Sequence, residues 1–297
     1  MTQPPNPLAA YYDRFQRFQF DGLGIRGEIV QLRNAFKTIQ GHAPYPSWAI
    51  PSLGEALSAA VLLSGTIKFE GALILQVQGN GAIPALVAQC THQRTIRGLL
   101  RYNDPPESLH FASLFGEARM VLTIQRNDYE PYQGIVGLEG NSLAEAIESY
   151  FQQSEQLPTR LWLFSDQDRA GGLFLQTLPG VNDRSESWNR INQLAQTVTQ
   201  KELLELSMEE MLYRLFNEER VLLQEPEPVY FRCSCSRRRI SEVLEGLGRE
   251  ELESILVEQG EVSVTCEFCN RNYAFDSVDI ESLLSGRPAS PTHTRKQ

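Results

Sequence analysis

The sequence predicts an α+β protein: an N-terminal domain with a large, mainly antiparallel sheet and packed helices, a helical linker, and a small C-terminal domain. Three observations support this prediction. Strand and helix patterns are mixed through the first part of the chain, with a hairpin signal between two strands. Short leucine-rich helical patterns follow, and four of the five cysteines lie close together near the C-terminus. We place the boundaries at residues 1–180, 181–228 and 229–285, with a disordered tail over 286–297.

The composition is that of an ordinary globular protein. Hydrophobic residues make up 41% and charged residues 22% of the 297 positions. No stretch approaches the roughly 20 apolar residues of a membrane helix, and the first residues show neither the basic start nor the apolar run of a targeting signal. We therefore expect a cytoplasmic protein. The net charge of −10 argues against broad binding to nucleic acids or anionic membranes, which attract basic surfaces.

The N-terminal part of the sequence indicates strands with a few helices between them. Ile25–Leu32 alternates as a strand does, while Ser52 and Glu55 have the spacing of a capping box that opens a helix. A second such box, at 142–145, opens another helix. Gly79-Asn80-Gly81 predicts a hairpin turn, since it lacks the lysine and the following helix of a phosphate loop. Further strands are predicted at residues 72–78, 83–90, 96–102, 118–125, 161–164 and 172–178.

The next segment has the pattern of three short helices, between about residues 186 and 217. Thr199 with Glu202, and Ser207 with Glu210, form capping boxes, and leucine-rich sequence follows each of them. Helices this short are marginal in water and need tertiary contacts to persist. We therefore predict a helical linker whose order depends on its neighbours.

The clustered cysteines form a C-x-C pair and a C-x-x-C pair with 30 residues between them: Cys233, Cys235, Cys266 and Cys269. Two tight turns that each present two thiolates can supply the four ligands of a tetrahedral zinc ion. An all-sulfur set leaves no open position for water, which favours a structural ion. A domain of about 60 residues is also small enough for a metal to help it fold. We predict one Zn²⁺ per chain in the reduced form, held in a C-terminal zinc-binding domain.

Three alternatives to this zinc site were weighed. Four buried free cysteines would need no metal. A zinc-ribbon nucleic-acid module would use the arginines at 232 and 237–239, yet residues 229–285 carry 6 basic and 11 acidic side chains, a net of −5. A thioredoxin-like exchanger would place C-x-x-C at the start of a helix in a βαβ context, whereas a strand is predicted after Cys269.

The four thiolates also predict a redox chemistry. Thiolates are the nucleophilic form of cysteine, so peroxide or hypochlorite can attack them. Oxidation would remove zinc ligands, and loss of the metal would remove the folding energy that it supplied. Neighbours in sequence would pair most easily, giving Cys233–Cys235 and Cys266–Cys269, and the first of these closes a very short, strained ring. The site would then unfold its own domain when oxidised, and the linker would lose its support.

Further motifs accompany the cysteines. The most specific are Phe231-Arg232-Cys233-Ser234-Cys235-Ser236, Cys266-Glu267-Phe268-Cys269 and Tyr273-Ala274-Phe275-Asp276. Supporting motifs are Leu53-Gly54-Glu55 and the segments at residues 76–81, 132–136, 154–159 and 175–179. On these motifs, residues 24–284 resemble heat-shock protein 33, a family of redox-regulated bacterial chaperones.

The resemblance implies an ATP-independent holdase of the stress response, idle when reduced and zinc-bound. In that family, oxidation with mild unfolding yields two disulfides, releases zinc, and unfolds the zinc domain and the linker. The zinc ligands and redox cysteines carried over are Cys233, Cys235, Cys266 and Cys269. The active form is often dimeric and binds unfolding proteins. We therefore expect client proteins and a second copy as partners, and a monomer in the reduced state.

Seven apolar linker residues are normally core positions, and we predict that they become client-binding surface once the linker unfolds: Leu203, Leu204, Leu206, Met211, Leu212, Leu215 and Phe216. Cys90 has no counterpart in the cysteine motif and is predicted to be a core or edge residue. The four histidines are scattered without metal-ligand spacing, and no GxSxG elbow is present. We therefore expect no catalytic residues and no enzyme activity.

Overall fold

The computed structural model describes residues 12–66, 70–126, 129–138, 140–154, 156–179 and 185–285. The chain divides into two compact units, Met1–Arg232 and Cys233–Gln297. The predicted linker belongs to the first unit, because its residues pack on the sheet domain. The predicted tail over 286–297 lies outside the described residues. The division into three parts made from the sequence stays a prediction.

The first unit contains most of the strands and the longest helix. Its strands in the described ranges are β1 (Arg14–Phe20), β2 (Ile25–Leu32), β3 (Gly71–Gln78), β4 (Ala85–Thr91), β5 (Thr95–Arg101), β6 (Arg119–Arg126), β7 (Tyr132–Gly137), β8 (Thr159–Ser165), β9 (Ala170–Thr177), β10 (Val221–Leu223), β11 (Glu227–Pro228) and β12 (Tyr230–Phe231). Its helices are α1 (Asn34–Gln40), α2 (Ile50–Gly65), α3 (Phe111–Phe115), α4 (Leu143–Ser154), α5 (Ser185–Ala195), α6 (Gln200–Glu205) and α7 (Met208–Phe216).

Two six-stranded sheets form the framework of this unit. One has the order β10-β1-β2-β9-β8, with β11 also paired to β1, and the other has the order β12-β5-β4-β3-β6-β7. Every pairing is antiparallel except that of β12 with β5. Helix α2 packs against strands of both sheets, and most of its side chains are buried, as an apolar helix between two layers requires. The predicted α+β class with a mainly antiparallel sheet is confirmed.

Some local predictions need correction. The prediction of a Ser52–Glu55 capping box is wrong. Helix α2 begins at Ile50, before Ser52, with Pro51 in its first turn and no side-chain cap. At α4, Ser142 accepts from the Glu145 N–H at 3.2 Å, but the Glu145 carboxylate accepts from Asn141 rather than closing the box. Strands β1, β7, β10 and β11, helices α1 and α3, and the last helix of the described residues were not predicted.

The linker helices cover the outer face of the first sheet. The capping boxes at Thr199–Glu202 and Ser207–Glu210 are both present, as predicted. The apolar faces of α5 to α7 form a second core with Phe18, Phe20 and other sheet residues. The segment that follows adds short strands to both sheets through β10, β11 and β12. The linker is therefore an integral layer of the first unit in this state.

The second unit is small and built around a hairpin. It contains α8 (Arg237–Glu245), α9 (Arg249–Gln259), the paired strands β13 (Val262–Thr265) and β14 (Asn272–Phe275), and α10 (Ser277–Leu284). Gly260 ends α9 with φ +80°, the left-handed conformation in which glycine commonly terminates a helix. Throughout the described part of the chain, no helix is long and apolar enough to span a bilayer.

Candidate metal centre

The four clustered cysteines lie in two connecting segments of the second unit. Cys233 and Cys235 stand just before α8, whose Ser236 side chain caps the helix by accepting from the Arg239 N–H. Cys266 and Cys269 lie in the turn between β13 and β14. In that turn the N–H groups of Cys269 and Asn270 donate to the Cys266 carbonyl at 3.3 and 2.8 Å. Asn270 has a φ of +53°, a conformation that asparagine tolerates better than most residues.

The four sulfur atoms lie close enough together to bind one metal ion. All four Sγ atoms lie within 4.8 Å of one another. The Cys233–Cys266 and Cys235–Cys269 sulfurs are 3.7 and 3.4 Å apart. Zinc–sulfur bonds of about 2.3 Å imply sulfur–sulfur edges of about 3.8 Å in a tetrahedron. The donor set therefore fits a thiophilic ion such as Zn²⁺, and all four cysteines are free thiols.

The electrostatic environment differs among these thiols. Burial opposes ionisation of Cys235, but hydrogen bonds from Tyr273 and from the neighbouring thiols lower its pKa to about 7. The Tyr273 hydroxyl donates to its Sγ at 3.2 Å. Burial raises the pKa of Cys233, and it raises that of Cys269 to about 12. Sequence reasoning quoted Tyr273 as part of a motif but did not assign it this contact.

Two of the three consecutive arginines beside the first cysteine pair have structural roles. Arg237 donates to Asp279 at 2.6 Å and to the Ala274 carbonyl at 2.7 Å, and it stacks over the Phe275 ring. Arg239 donates to the Ser234 carbonyl within the C-x-C turn at 2.9 Å. Arg238 points outward, with 85% of its side chain exposed, beside Glu242. These contacts favour a folding role for the arginines over a nucleic-acid surface.

The apolar core around the cluster is small. Its buried members in the described ranges are Leu244, Leu252, Val262, Cys266, Tyr273, Phe275 and Ile280. A unit with so little apolar burial depends on cross-links or a metal, and a structural Zn²⁺ contributes about 10–16 kcal/mol in zinc-finger peptides. A metal bound by the four cysteines would therefore hold this unit together.

The seven predicted client-binding residues lie elsewhere, in α6 and α7 and the turn between them. Six of the seven are buried, and Leu206 is partly exposed. Phe216 packs edge-on against Phe20, with ring centroids 4.9 Å apart. The buried Gln31 amide donates to the carbonyls of Leu203 and Leu206 at 2.6 and 2.8 Å and so holds the end of α6. In this state the seven residues are packed in the first unit.

A charged group that sequence reasoning missed fixes the end of the linker. Glu227 in β11 accepts from Arg17 at 2.8 Å and from Arg94 at 2.8 Å. Arg94 is only 4% exposed, donates to Ser64 at 2.6 Å and stacks over the Phe15 ring. The segment around Glu227 had been identified only as a domain boundary. We call Glu227 with Arg17 and Arg94 the Glu227 clamp.

Two buried titratable groups lie close to this clamp. Glu28 in β2 has no hydrogen-bond partner for either carboxyl oxygen among the described residues. Burial raises its pKa to about 7 despite the nearby positive charges of Arg26, Arg17 and Arg94. Cys90 in β4 is fully buried, as predicted for a core residue, and accepts a hydrogen bond from Ser64 at 3.2 Å. Burial raises its pKa, so it is a poor nucleophile.

The fold and the site together define a class of protein: a two-sheet domain with a docked helical linker, followed by a unit with a four-cysteine cluster that could hold a metal ion. The family model described as Hsp33 protein matches residues 13–276. The chain belongs to the Hsp33 family.

Individual relatives agree with this assignment. The 33 kDa chaperonin of Nitrosococcus oceani is 52% identical over 284 residues, covering 95% of this chain and 98% of the relative. The 33 kDa chaperonin of Pseudomonas aeruginosa strain LESB58 is 43% identical over 297 residues, covering 96% of this chain and 99% of the relative. The crystal structure of the 33 kDa chaperonin from Thermotoga maritima superposes with a TM-score of 0.82 at 25% sequence identity. The match covers 93% of this chain and 99% of that structure. These relatives are named as chaperonins and not as enzymes.

Proposed function

We propose that this protein is a redox-regulated, ATP-independent holdase chaperone that protects unfolding and oxidatively damaged proteins from aggregation. The observation that carries the proposal is the group of four thiols within 4.8 Å of one another, which fits a metal that an oxidant can release. Membership in a family whose relatives are named chaperonins supports the chaperone assignment. The chain acts by binding clients, without catalysis.

In the reduced form, Cys233, Cys235, Cys266 and Cys269 would hold one Zn²⁺. The ion, when bound, supplies the folding free energy that the small apolar core of the second unit lacks. The Tyr273 hydroxyl donates a hydrogen bond to the Cys235 sulfur at 3.2 Å and so favours its thiolate form. The chaperone is idle in this state, since the linker side chains that would bind clients are buried.

Activation is an oxidation of the four thiols by a peroxide. In each pair, one thiolate attacks the peroxide oxygen to give a sulfenic acid, and the second thiol displaces water to form the disulfide. Each disulfide therefore costs one peroxide, which takes two electrons and is reduced to two waters. We propose the pairs Cys233–Cys235 and Cys266–Cys269, in which one and two residues separate the partners. Loss of the thiolates releases zinc, and the second unit then unfolds.

Unfolding then extends to the linker. Strand β12 ends at Phe231, two residues before Cys233, so the chain leaves the first unit directly into the cluster. Helices α6 and α7 have 6 and 9 residues and are marginal without their packing partners. Once released, the seven apolar residues from Leu203 to Phe216 would bind unfolded clients. We propose a cytoplasmic protein that is monomeric when reduced and forms a homodimer on activation.

The test follows zinc release and client aggregation in one sample. The zinc-loaded protein is treated with peroxide at raised temperature, and light scattering of a thermally unfolding client is recorded before and after. We expect release of about one zinc per chain and suppression of scattering only after oxidation, without ATP. Zinc release without suppression would leave the cluster a structural site and would contradict the proposal. Turnover of a disulfide substrate would indicate a thiol oxidoreductase instead.

A further inference from the structure

A cavity beside the start of α2 has no part in the proposed switch. Its volume is about 240 Å³, and it lies among α2, α3 and the start of α4. Most of its wall is apolar, made by Trp48, Leu109, Phe111, Leu114, Phe115 and Leu143. Glu55, from the Leu53-Gly54-Glu55 motif, is the one charged side chain among the described residues that line it. The cavity therefore combines aromatic walls with a single carboxylate and the uncharged polar residues Ser52, Asn141 and Ser142.

The carboxyl group of Glu55 lacks an internal partner. No residue in the described part of the chain forms an ion pair or a side-chain hydrogen bond with it. Its apolar surroundings raise its pKa to about 7. Glu55 is partly exposed, and a carboxylate partly withdrawn from water into apolar surroundings loses some of its solvation without gaining a partner. A ligand that brings a positive charge into the cavity would offset this cost.

The aromatic walls favour the same kind of ligand. Phe111 and Phe115 lie with ring centroids 5.0 Å apart, and Trp48 contributes a third ring to the lining. The faces of aromatic rings attract ammonium and guanidinium groups. Leu109 is 61% exposed, so apolar surface continues from the cavity to the solvent. The methylene stem of a lysine or arginine would have apolar surface to lie against.

The size of the cavity suits the end of a long side chain and not a cofactor. Its volume of about 240 Å³ is below the range of about 300–1,000 Å³ that is usual for sites that bury drug-sized molecules. It corresponds to the volume of about eight water molecules at about 30 Å³ each. The end of one long side chain fits such a space, whereas a cofactor does not.

We propose that Glu55, with Trp48, Phe111 and Phe115, binds the ammonium or guanidinium end of a lysine or arginine side chain on an unfolded client. The cavity and its carboxylate assign the site itself. The statement that the cation comes from a client protein rests on the proposed holdase function. An unfolded polypeptide presents such side chains along its whole length. A pocket of this kind adds a charge-selective contact to an otherwise apolar client surface.

The first experiment tests the site on the reduced, zinc-loaded protein. n-Butylammonium and n-butylguanidinium are titrated while tryptophan emission, to which Trp48 contributes, and heat release are recorded. We expect saturable binding that Glu55→Gln weakens at least tenfold and that n-butanol does not reproduce. Glu107→Gln, an exposed carboxylate in the same region, is the matched control. No saturable binding, or equal affinity in Glu55→Gln with unchanged circular dichroism and zinc content, would overturn the proposal.

The second experiment tests the source of the cation on the peroxide-activated protein. An unfolded polypeptide that contains lysine but no arginine is compared before and after lysine acetylation. We expect Glu55→Gln to weaken binding of the unmodified polypeptide several-fold and to leave binding of the acetylated one unchanged. If Glu55→Gln weakens binding of the unmodified and the acetylated polypeptide equally, the lysines of the client are not the source of the cation. If the wild-type protein binds neither form, the holdase proposal fails, while the first experiment still decides the cation site.

Discussion

The two compact units are stabilised in different ways. The first buries a continuous apolar core between two six-stranded sheets, with α2 at its centre and the linker helices on its outer face. The second has few buried apolar side chains; of the four clustered thiols, Cys266 is buried and the other three are partly exposed and pack against its core. An oxidant that attacks these thiolates therefore acts first on the stability of the second unit. Under the proposed mechanism, this difference lets one reaction unfold the second unit and the linker while the sheets persist.

The largest effect is expected from removing one thiol of the cluster. Cys266→Ser should abolish zinc binding and remove about 10 kcal/mol or more of folding free energy from the second unit. The first unit should keep its sheets, because its core contains none of the four thiols. Zinc content and amide NMR spectra of the full chain measure the two effects. Cys90→Ala is the matched control, and loss of zinc from that variant would contradict the assignment of the site.

The next effect concerns the docking of the linker. Phe216→Ala removes a fully buried ring that packs on Phe18 and Phe20, which should cost about 3–5 kcal/mol. The variant should release α6 and α7 more often and suppress aggregation at lower peroxide exposure. Tyr213→Ala, on the exposed side of the same helix at 72% exposure, should have little effect. If both variants need the same peroxide exposure to suppress aggregation, linker docking does not control activation, and the prediction is wrong.

A third effect is a pH dependence within the first unit. The folded state holds the proton of Glu28 up to a pKa of about 7, whereas the unfolded chain releases it near the ordinary value of 4.5. The stability of the unit should therefore fall as the pH rises from about 4.5 to about 7, by about 3 kcal/mol from this group. Glu28→Gln should remove that part of the dependence and stabilise the unit at pH 8. Urea unfolding of both proteins at pH 5 and pH 8 tests this, and parallel pH profiles would contradict it.

The smallest effect is expected at the Glu227 clamp. Glu227→Gln weakens the bonds to Arg17 and to the buried Arg94, and about 1–3 kcal/mol of local stability should be lost, since Glu227 is itself about one-third exposed. Hydrogen exchange should quicken in β10 to β12 without loss of zinc. Glu225→Gln, an exposed neighbour, is the matched control. Unchanged exchange in Glu227→Gln would show that strand pairing alone holds the segment.

The sequence predicted those features that depend on local chemistry. The capping boxes at Thr199–Glu202 and Ser207–Glu210 satisfy backbone donors within one turn, so spacing alone identified them. Ser52 and Glu55 have the same spacing, but Pro51 and the packing of α2 between the sheets move the helix start to Ile50.

Features that depend on distant residues were not predicted. In the Glu227 clamp, Glu227 is separated in sequence from Arg17 by 210 positions and from Arg94 by 133 positions, and no sequence pattern connects them. Strand β7 is exposed on most of its length, so its apolar residues do not alternate as those of a half-buried strand do. The cysteine cluster could be predicted because metal-ligand spacing is itself a local signal. The cavity at Glu55 could not, because its walls come from three separate helices and the loops before them.

Hydrogen exchange of the full chain, reduced and zinc-loaded against peroxide-oxidised, tests the central claim most directly. The account predicts that oxidation removes protection from the second unit and from α6 and α7, while β3 and β9 keep theirs. Loss of protection in the linker should parallel the suppression of client aggregation across a peroxide titration. Full protection of α6 and α7 in an oxidised protein that suppresses aggregation would contradict the account.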